Sequence, residues 1–364
     1  MVICEKCFVD NEISSIIRSS NKATKGCCPV CGSPDVYLYN TCEQDELTGP
    51  FDELIGIFSP IKDSLITNVP KENQLPLIRQ VVNRWRIFHT ALSEKTIESI
   101  MRSICTQGSR DIFDGNVCIK EMYDECITTE KSMLYNSSWD RFVNDLKIKN
   151  RFHSDSLNLK ILERFISYIP KKYKKGTHFY RARIGDSPNG YKVNEMSAPP
   201  ASKSNEGRAN AKGITCLYLA SNLETTLHEV RATSYDYVSV GDFELKDDIT
   251  VVDLKRLNQI SPFIENLNVL DYAINQEYLD RLNKEMSKPL RRGDSVLDYV
   301  PTQYIIDYIK TIKDDGRSAY QGIEYTSTMS ASGYNLAIFN PDLFCCKDVS
   351  VYEIKQLKYE YESL

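Results

Sequence analysis

Two Cys-x-x-Cys pairs, Cys4/Cys7 and Cys28/Cys31, stand twenty residues apart near the start of the chain. Each pair puts two thiolates on a tight turn, and two such turns supply the tetrahedral four-sulfur shell that zinc prefers. Too few apolar residues lie between them to form a core without metal. Structural zinc would therefore supply the folding energy of a small ribbon or treble-clef knuckle over residues 1–45. The alternatives are surface thiols or a dithiol redox pair; no βαβ pattern surrounds "CPVC", which disfavours the redox version. Cys27 is the spare, able to replace Cys28 only with a distorted turn. Six of the 12 cysteines fall within residues 1–42, and in a reducing compartment clustered cysteines read as thiols or metal ligands before disulfides.

A chain of 364 residues has room for two or three folding units. With 41% hydrophobic and 26% charged residues it has the composition of a globular protein, not a disordered or fibrous one. The net charge of −5 argues against a general attraction to nucleic acid or anionic lipid, although a local basic patch stays open. The start, "MVICEKCFVDNEISS", lacks a basic segment followed by a long apolar run, and no window holds eighteen uninterrupted apolar residues. The expectation is a cytoplasmic protein with no secretory signal and no membrane span.

Residues 50–168 have helical periodicity. In "ENQLPLIRQVVNRWRIFH" the residues Leu77, Val81, Val82, Trp85 and Phe88 share one helical face, and "LKILERFISYI" repeats the pattern. "DIFDGNVCIKEMYDECI" and "NSSWDRFVNDLKIKNRF" read as shorter helices. Arg84 and His89 form an Arg-x4-His pair on the first of these helices. That spacing resembles the ribonuclease motif of HEPN proteins, but Trp85 stands where the usual polar residue follows the arginine. A solvated arginine and a helix-end histidine are the bland alternative.

A proline, a basic turn and a glycine in "YIPKKYKKGTHFYRAR" mark a boundary near residue 175. After it, "HFYRARI", "CLYLAS", "YVSVGDFEL", "ITVVDL", "GIEYTS" and "YNLAIFN" read as strands, while "NLETTLHEVRAT" and "VPTQYIIDYIKTI" read as helices. The outcome is an α+β unit with a mixed sheet over residues 175–345, followed by an extension over 346–364.

Within that unit Arg208, Tyr218 and Glu229 recur at intervals of ten and eleven residues. Strand alternation sends Leu217 and Leu219 to the face opposite Tyr218, and Glu229 lies on the helix that Asn222 caps. An aromatic surface for a flat ring, a guanidinium for a diphosphate and a carboxylate for an electron-poor sugar together suit a dinucleotide. Periodicity alone does not separate this from a core tyrosine and a solvated glutamate.

Four blocks resemble the RES family, named for an arginine, a glutamate and a serine: "FYRAR" at 179–183, "GRANAKGITCLYLASNLETTLHEVR" at 207–231, the "PTQYIIDYIK" helix, and "GIEYTSTMSASGYNLAIFNP" at 322–341. The resemblance implies a fold like that of ADP-ribosyltransferase toxins and NAD+ as substrate. It implies an NAD+ glycohydrolase or phosphorylase acting as a toxin or defence effector, with ADP-ribosyl transfer to a protein or small acceptor as the alternative. A HEPN-type RNA-acting or nucleic-acid-binding protein is the further alternative. Residue by residue, Arg208, Glu229 and Ser327 match the naming residues, Tyr218 the tyrosine that stacks on nicotinamide, and Arg181 the arginine of the first strand. By the same resemblance Arg181 and Arg208 anchor the diphosphate or ribose, Ser327 bonds the nicotinamide ribose or carboxamide, and Glu229 stabilises the cation as the glycosidic bond breaks. His228 projects about 100° away from Glu229 on the helix.

Two departures from the family pattern bear on pocket width: Ala209 where a bulky residue is common, and Thr326 where proline is common. The knuckle and helical segment resemble the HEPN-linked architecture found with some members. A helix-turn-helix antitoxin or another regulatory protein is the partner this implies, a homo-oligomer is left open, and nucleic acid and membrane are not expected partners.

Overall fold

The computed structural model describes residues 1–61, 69–106, 112–135, 137–288, 295–327, 329 and 333–357. Residues 328 and 330–332 of the last family block, and 358–364 of the expected extension, lie outside that set. The chain divides into two compact units, Met1–Asn136 with Gln259–Glu277, and Ser137–Asn258 with Tyr278–Leu364.

The first unit opens with β1 (Val2–Cys4), α1 (Asn11–Ser19), β2 (Thr24–Gly26) and β3 (Val36–Asn40). The three strands form an antiparallel sheet ordered β1-β3-β2. Asp10 caps α1 by accepting from the Glu12 and Ile13 amides, and Ile13 and Ile17 are buried on one face. Next come α2 (Thr48–Gly56), β4 (Ser59–Pro60), β5 (Leu75–Pro76), α3 (Leu77–Arg84), α4 (Glu94–Ile104), β6 (Asn116–Cys118) and α5 (Glu125–Lys131). Ser93 caps α4, which buries Ile97, Ile100, Met101 and Ile104. Phe8, Phe51, Phe88 and Phe263 pack ring on ring with centroids 5.0–6.4 Å apart.

Two helical expectations are corrected here. The helix expected to carry Leu77 through Phe88 ends at Arg84, and Trp85 is extended at φ −129°. Trp85, Ile87 and Phe88 are buried next to each other, so their packing comes from extended backbone, and Val82 is exposed. Arg84 and His89 therefore share no helix: Arg84 is half-buried, with burial lowering its guanidinium below the usual value, and His89 is exposed with Nδ1 accepting from the Ala91 amide at 3.2 Å. The second correction concerns "DIFDGNVCIKEMYDECI". Its centre is β6, the middle strand of a small sheet ordered β4-β6-β5, and beyond that strand come a 3-10 helix at Lys120–Tyr123 and the start of α5.

The second unit contains α6 (Trp139–Ile148), α7 (Leu159–Ile166), β7 (Pro170–Tyr173), β8 (His178–Gly185), β9 (Leu217–Ala220), α8 (Leu223–Glu229), β10 (Tyr237–Leu245) and β11 (Ile249–Asp253). After α9 (Val269–Ser287), which begins in the first unit, come α10 (Val300–Thr311), the short hairpin β12 (Lys313–Asp314) and β13 (Arg317–Ser318), then β14 (Gly322–Thr326), β15 (Tyr334–Ile338) and β16 (Phe344–Glu353). Eight strands make one mixed sheet ordered β16-β10-β8-β9-β15-β14-β11-β7, in which β11 and β14 run parallel and the other pairs antiparallel. The sheet extends beyond 175–345 on both sides. β7 arises from the basic turn, and β16 from residues read as the end of the unit and an extension.

One face of the sheet carries the apolar core of Phe179, Leu217, Leu219, Phe243, Leu336 and Ile338 with Met196 and Phe344. On the other face α8 lays Leu223 and Leu227 against Ala182, Val238 and Val240. β8 and β9 share a single register pair, Tyr180 with Ala220. The strands part beyond it, and the cavity described next is lined from both of them.

Candidate active site

A cavity of about 570 Å³ lies within the second unit, lined by Arg181, Arg208, Tyr218, Glu229 and residues of β8, β9, α8, β14 and β15. That volume falls in the range typical of small-molecule sites. Strand alternation explains who faces it: Leu217 and Leu219 of β9 and Leu336 of β15 enter the core, while Tyr218, Asn335 and Tyr325 take the cavity face. Asn335 is the register partner of both Ala220 and Tyr325.

Glu229 is the last residue of α8. The helix is fixed at its start by the Asn222 side chain, which accepts from the Thr225 amide at 2.8 Å, and along its length by buried Thr225 and Thr226. Gly333 lets the chain before β15 press on that helix start, since a Cβ there would lie 1.8 Å from the Thr225 hydroxyl. The Glu229 carboxylate is exposed to the cavity. Its Oε1 accepts two hydrogen bonds, from the Ser327 hydroxyl at 2.7 Å and from Asn335 Nδ2 at 2.8 Å. Ser327 and Asn335 are each 5% exposed, and Ser327 Oγ is itself held by the Met329 amide at 3.2 Å. Among the described residues Oε2 takes no hydrogen bond, so one carboxylate oxygen is occupied and the other is presented.

Arg208 is presented by a turn tied down on several sides. Gly207 N–H donates to Asn210 O at 2.9 Å. The Tyr218 hydroxyl accepts from the Ala209 amide at 3.0 Å and donates to Asn210 Oδ1 at 2.7 Å. Gln303 of α10 reaches the carbonyls of Gly207 and Asn210, and Lys310 reaches that of Ala209. A Cβ on Gly207 would sit 2.5 Å from the Tyr218 hydroxyl, so glycine is what the close approach permits. The Arg208 guanidinium donates to the Glu285 carbonyl at 3.0 Å and to that of Lys288, at the C-terminal end of α9, and lies 5.9 Å from the Tyr299 ring. Ala209 is fully buried and Thr326 is exposed at the cavity wall, so of the two departures from the family pattern only Thr326 borders the cavity.

Arg181 belongs by alternation to the Phe179 face and lines the cavity where β8 and β9 part. It donates to the Met196 carbonyl at 3.0 Å. Burial, with Arg183 alongside, lowers its guanidinium to about 10, which leaves it charged at neutral pH. Burial also raises the Tyr218 phenol well above its ordinary value. It raises Tyr325 likewise, with the Glu229 charge adding to the effect. Both phenols are thus neutral, and Tyr218 serves as an apolar ring with a tethered hydroxyl.

The five expected residues are brought together: four line the cavity and Ser327 bonds the fourth of them, Glu229. His228 is exposed, outside the lining, and 4.0 Å from Glu224. Asn335, Tyr325 and Arg231 were missed. In "YNLAIFN" a lone asparagine stands between half-buried Tyr334 and buried Leu336, a pattern with no spacing signal of its own.

In the first unit the sulfurs of Cys4, Cys7, Cys28 and Cys31 all lie within 4.8 Å of one another, close enough to bind a metal ion. Three of the separations are 3.4, 3.7 and 3.8 Å. A tetrahedron with metal–sulfur bonds of about 2.3 Å has edges of roughly 3.8 Å, so the donor set fits. Without a cation the buried sulfurs stay protonated, since burial pushes the Cys4 thiol up to about 12 and Cys7 higher still, and a bound metal is what would let them act as thiolates. Cys27 is exposed and outside the cluster.

A family model described as RES domain matches residues 178–361. No curated protein and no solved structure gives a match.

Proposed function

The chain belongs to the RES domain family, and from that premise we propose that its second unit is an NAD+-degrading enzyme, a glycohydrolase or phosphorylase that acts as a toxin or defence effector. The observation that carries this reading is the Glu229 carboxylate, gripped on one oxygen by Ser327 and Asn335 and offering the other to a cavity that Arg208, Arg181 and Tyr218 also line. An ADP-ribosyltransferase-like fold is the architecture the reading implies.

In the proposed reaction Arg181 and Arg208 hold the diphosphate, and Tyr218 lays its ring against nicotinamide. The bond between nicotinamide nitrogen and ribose C1′ breaks, and its electron pair leaves with the nicotinamide, which departs neutral. Glu229 Oε2 faces the cationic ribose and stabilises it electrostatically. Water then bonds C1′ through oxygen and gives up a proton to Oε2, yielding ADP-ribose. With inorganic phosphate in place of water, the product is ADP-ribose 1″-phosphate. Ser327 acts on Glu229 and not as a nucleophile, because it is 5% exposed and stands behind the carboxylate, outside the cavity lining.

The exposure of Glu229 favours one second reading, transfer of ADP-ribose to an acceptor side chain that reaches the cavity mouth. Incubating the purified chain with NAD+, with and without phosphate, and following nicotinamide release and the fate of ADP-ribose separates the outcomes. Label left on protein supports transfer. No release with water, phosphate or protein acceptor overturns the proposal. For the first unit, the proposed metal is zinc, held by Cys4, Cys7, Cys28 and Cys31 in a structural role.

A further inference from the structure

Arg231 lines the same cavity as Glu229, although it stands only two residues further along the chain. Were α8 to continue, the residue two positions on would project about 200° around the axis. Instead α8 stops at Glu229, and Arg231 takes a left-handed backbone with φ 53°, its N–H closing on the His228 carbonyl at 2.9 Å. This is the position after a helix where glycine is favoured, because a Cβ is strained there. An arginine kept in that conformation, lining the cavity, is an observed outlier beside the reacting centre. The charged residues of the lining are three arginines, Arg181, Arg208 and Arg231, and one glutamate, Glu229.

We propose that Arg231 is a third oxyanion-binding guanidinium of this cavity, taking phosphate oxygens of a reactant; the proposal rests on the NAD+ reading above. Arginine suits the task because its planar fork can engage two oxygens of one phosphate. The phosphate has two sources, the dinucleotide's own diphosphate or an inorganic phosphate entering as acceptor.

The test compares the full chain with Arg231→Gly and Arg231→Lys. Glycine fits the left-handed backbone better than arginine does, so Arg231→Gly removes the guanidinium without straining the helix end, and a melting curve recorded beside the binding data shows that the variant is folded. Calorimetric binding of ADP-ribose, of inorganic phosphate and of pyrophosphate is measured beside NAD+ consumption with and without phosphate. The expected result is a tenfold or greater loss of affinity in Arg231→Gly, with Arg231→Lys intermediate. Loss in the ADP-ribose arm assigns Arg231 to the diphosphate, and loss in the phosphate arm alone assigns it to the acceptor. Unchanged affinities in every arm overturn the proposal and leave Arg231 as a helix terminator. Should the parent chain neither bind ADP-ribose nor consume NAD+, the functional reading fails, and the pyrophosphate arm alone then decides on Arg231: weaker binding in Arg231→Gly supports it, and unchanged or absent binding overturns it.

Discussion

Glu229 takes both of its hydrogen bonds on Oε1, so its two donors back each other up. Removing the Ser327 hydroxyl leaves the Asn335 amide in place, and the reverse holds. A hydrogen bond to a charged group is worth about 1.5–3 kcal/mol, and about 1.4 kcal/mol is tenfold in rate. Ser327→Ala and Asn335→Ala should each slow NAD+ turnover by roughly tenfold, and the double variant by more than the product of the two; steady-state kcat on all three checks this, and an additive double would show that the donors act independently. Glu229→Gln keeps the shape and removes the charge, with an expected loss of about 10³-fold in kcat, within the span of acid–base and electrostatic groups. Tyr218→Phe strips the partner from the buried Ala209 amide and from Asn210. An orphaned buried donor costs about 1–3 kcal/mol, so the Arg208 turn should loosen and KM rise more than kcat falls. At this scale the family blocks made Arg181, Arg208, Tyr218, Glu229 and Ser327 legible. Asn335 was hidden because a single asparagine in a strand has no spacing partner in sequence; it acquires its role from lying between β9 and β14.

Glu324 and Tyr325 are neighbours on β14 that point to opposite faces, one to the cavity and one to a buried ionic cluster. Glu324 is 0% exposed and holds Lys171 of β7 at 2.8 Å, together with Lys255 and the Tyr173 hydroxyl. Both lysines also lie over the Tyr334 ring, at 4.7 and 4.0 Å. The cluster ties β7, β14 and β15 together behind the site. Glu324→Leu would take the carboxylate from Lys171 and leave Lys255 with Asp253 alone, 3.7 Å away; with both lysines partly exposed the cost stays below the roughly 3–5 kcal/mol of a fully buried pair. A clear fall in the midpoint of urea unfolding is the expected result; an unchanged midpoint would show the cluster to be solvated. Elements with a clean strand or helix period, β8 to β11, α10, β14 and β15, stood in the sequence nearly at their observed limits, whereas α8 ends at Glu229, four residues before the end of the stretch read as helix. β7 did not, because it begins with Pro170 and is rich in lysine, as suits an edge strand. β16 did not, because the irregularity opposite Asp242/Phe243 breaks its alternation. In α9 residues 272–275 are buried one after another, which leaves no single apolar stripe to read.

For the whole molecule, one compact unit carries the four-cysteine cluster and the other the cavity, so two different ligands should stabilise two different parts. Under the proposed structural zinc, a chelator should lower the melting of the first unit, since a metal held by the cluster would contribute directly to folding, and readdition of zinc should restore it; Cys28→Ser should match the chelated protein. ADP-ribose at a hundred times its dissociation constant should stabilise the second unit by about 2.7 kcal/mol. Differential scanning calorimetry distinguishes the two effects, and a chelator that left every transition in place would rule out a structural metal. The separation in sequence between Glu229 and its two donors, 98 and 106 residues, has a consequence during synthesis. Contacts so far apart in the chain form late and slowly. A ribosome that has already made the Arg208 turn and α8 carries a glutamate with neither of its supports until Ser327 and Asn335 emerge. A nascent chain that has not yet reached Asn335 therefore has its glutamate without a completed set of supports, and under the proposed function it is expected to leave NAD+ intact.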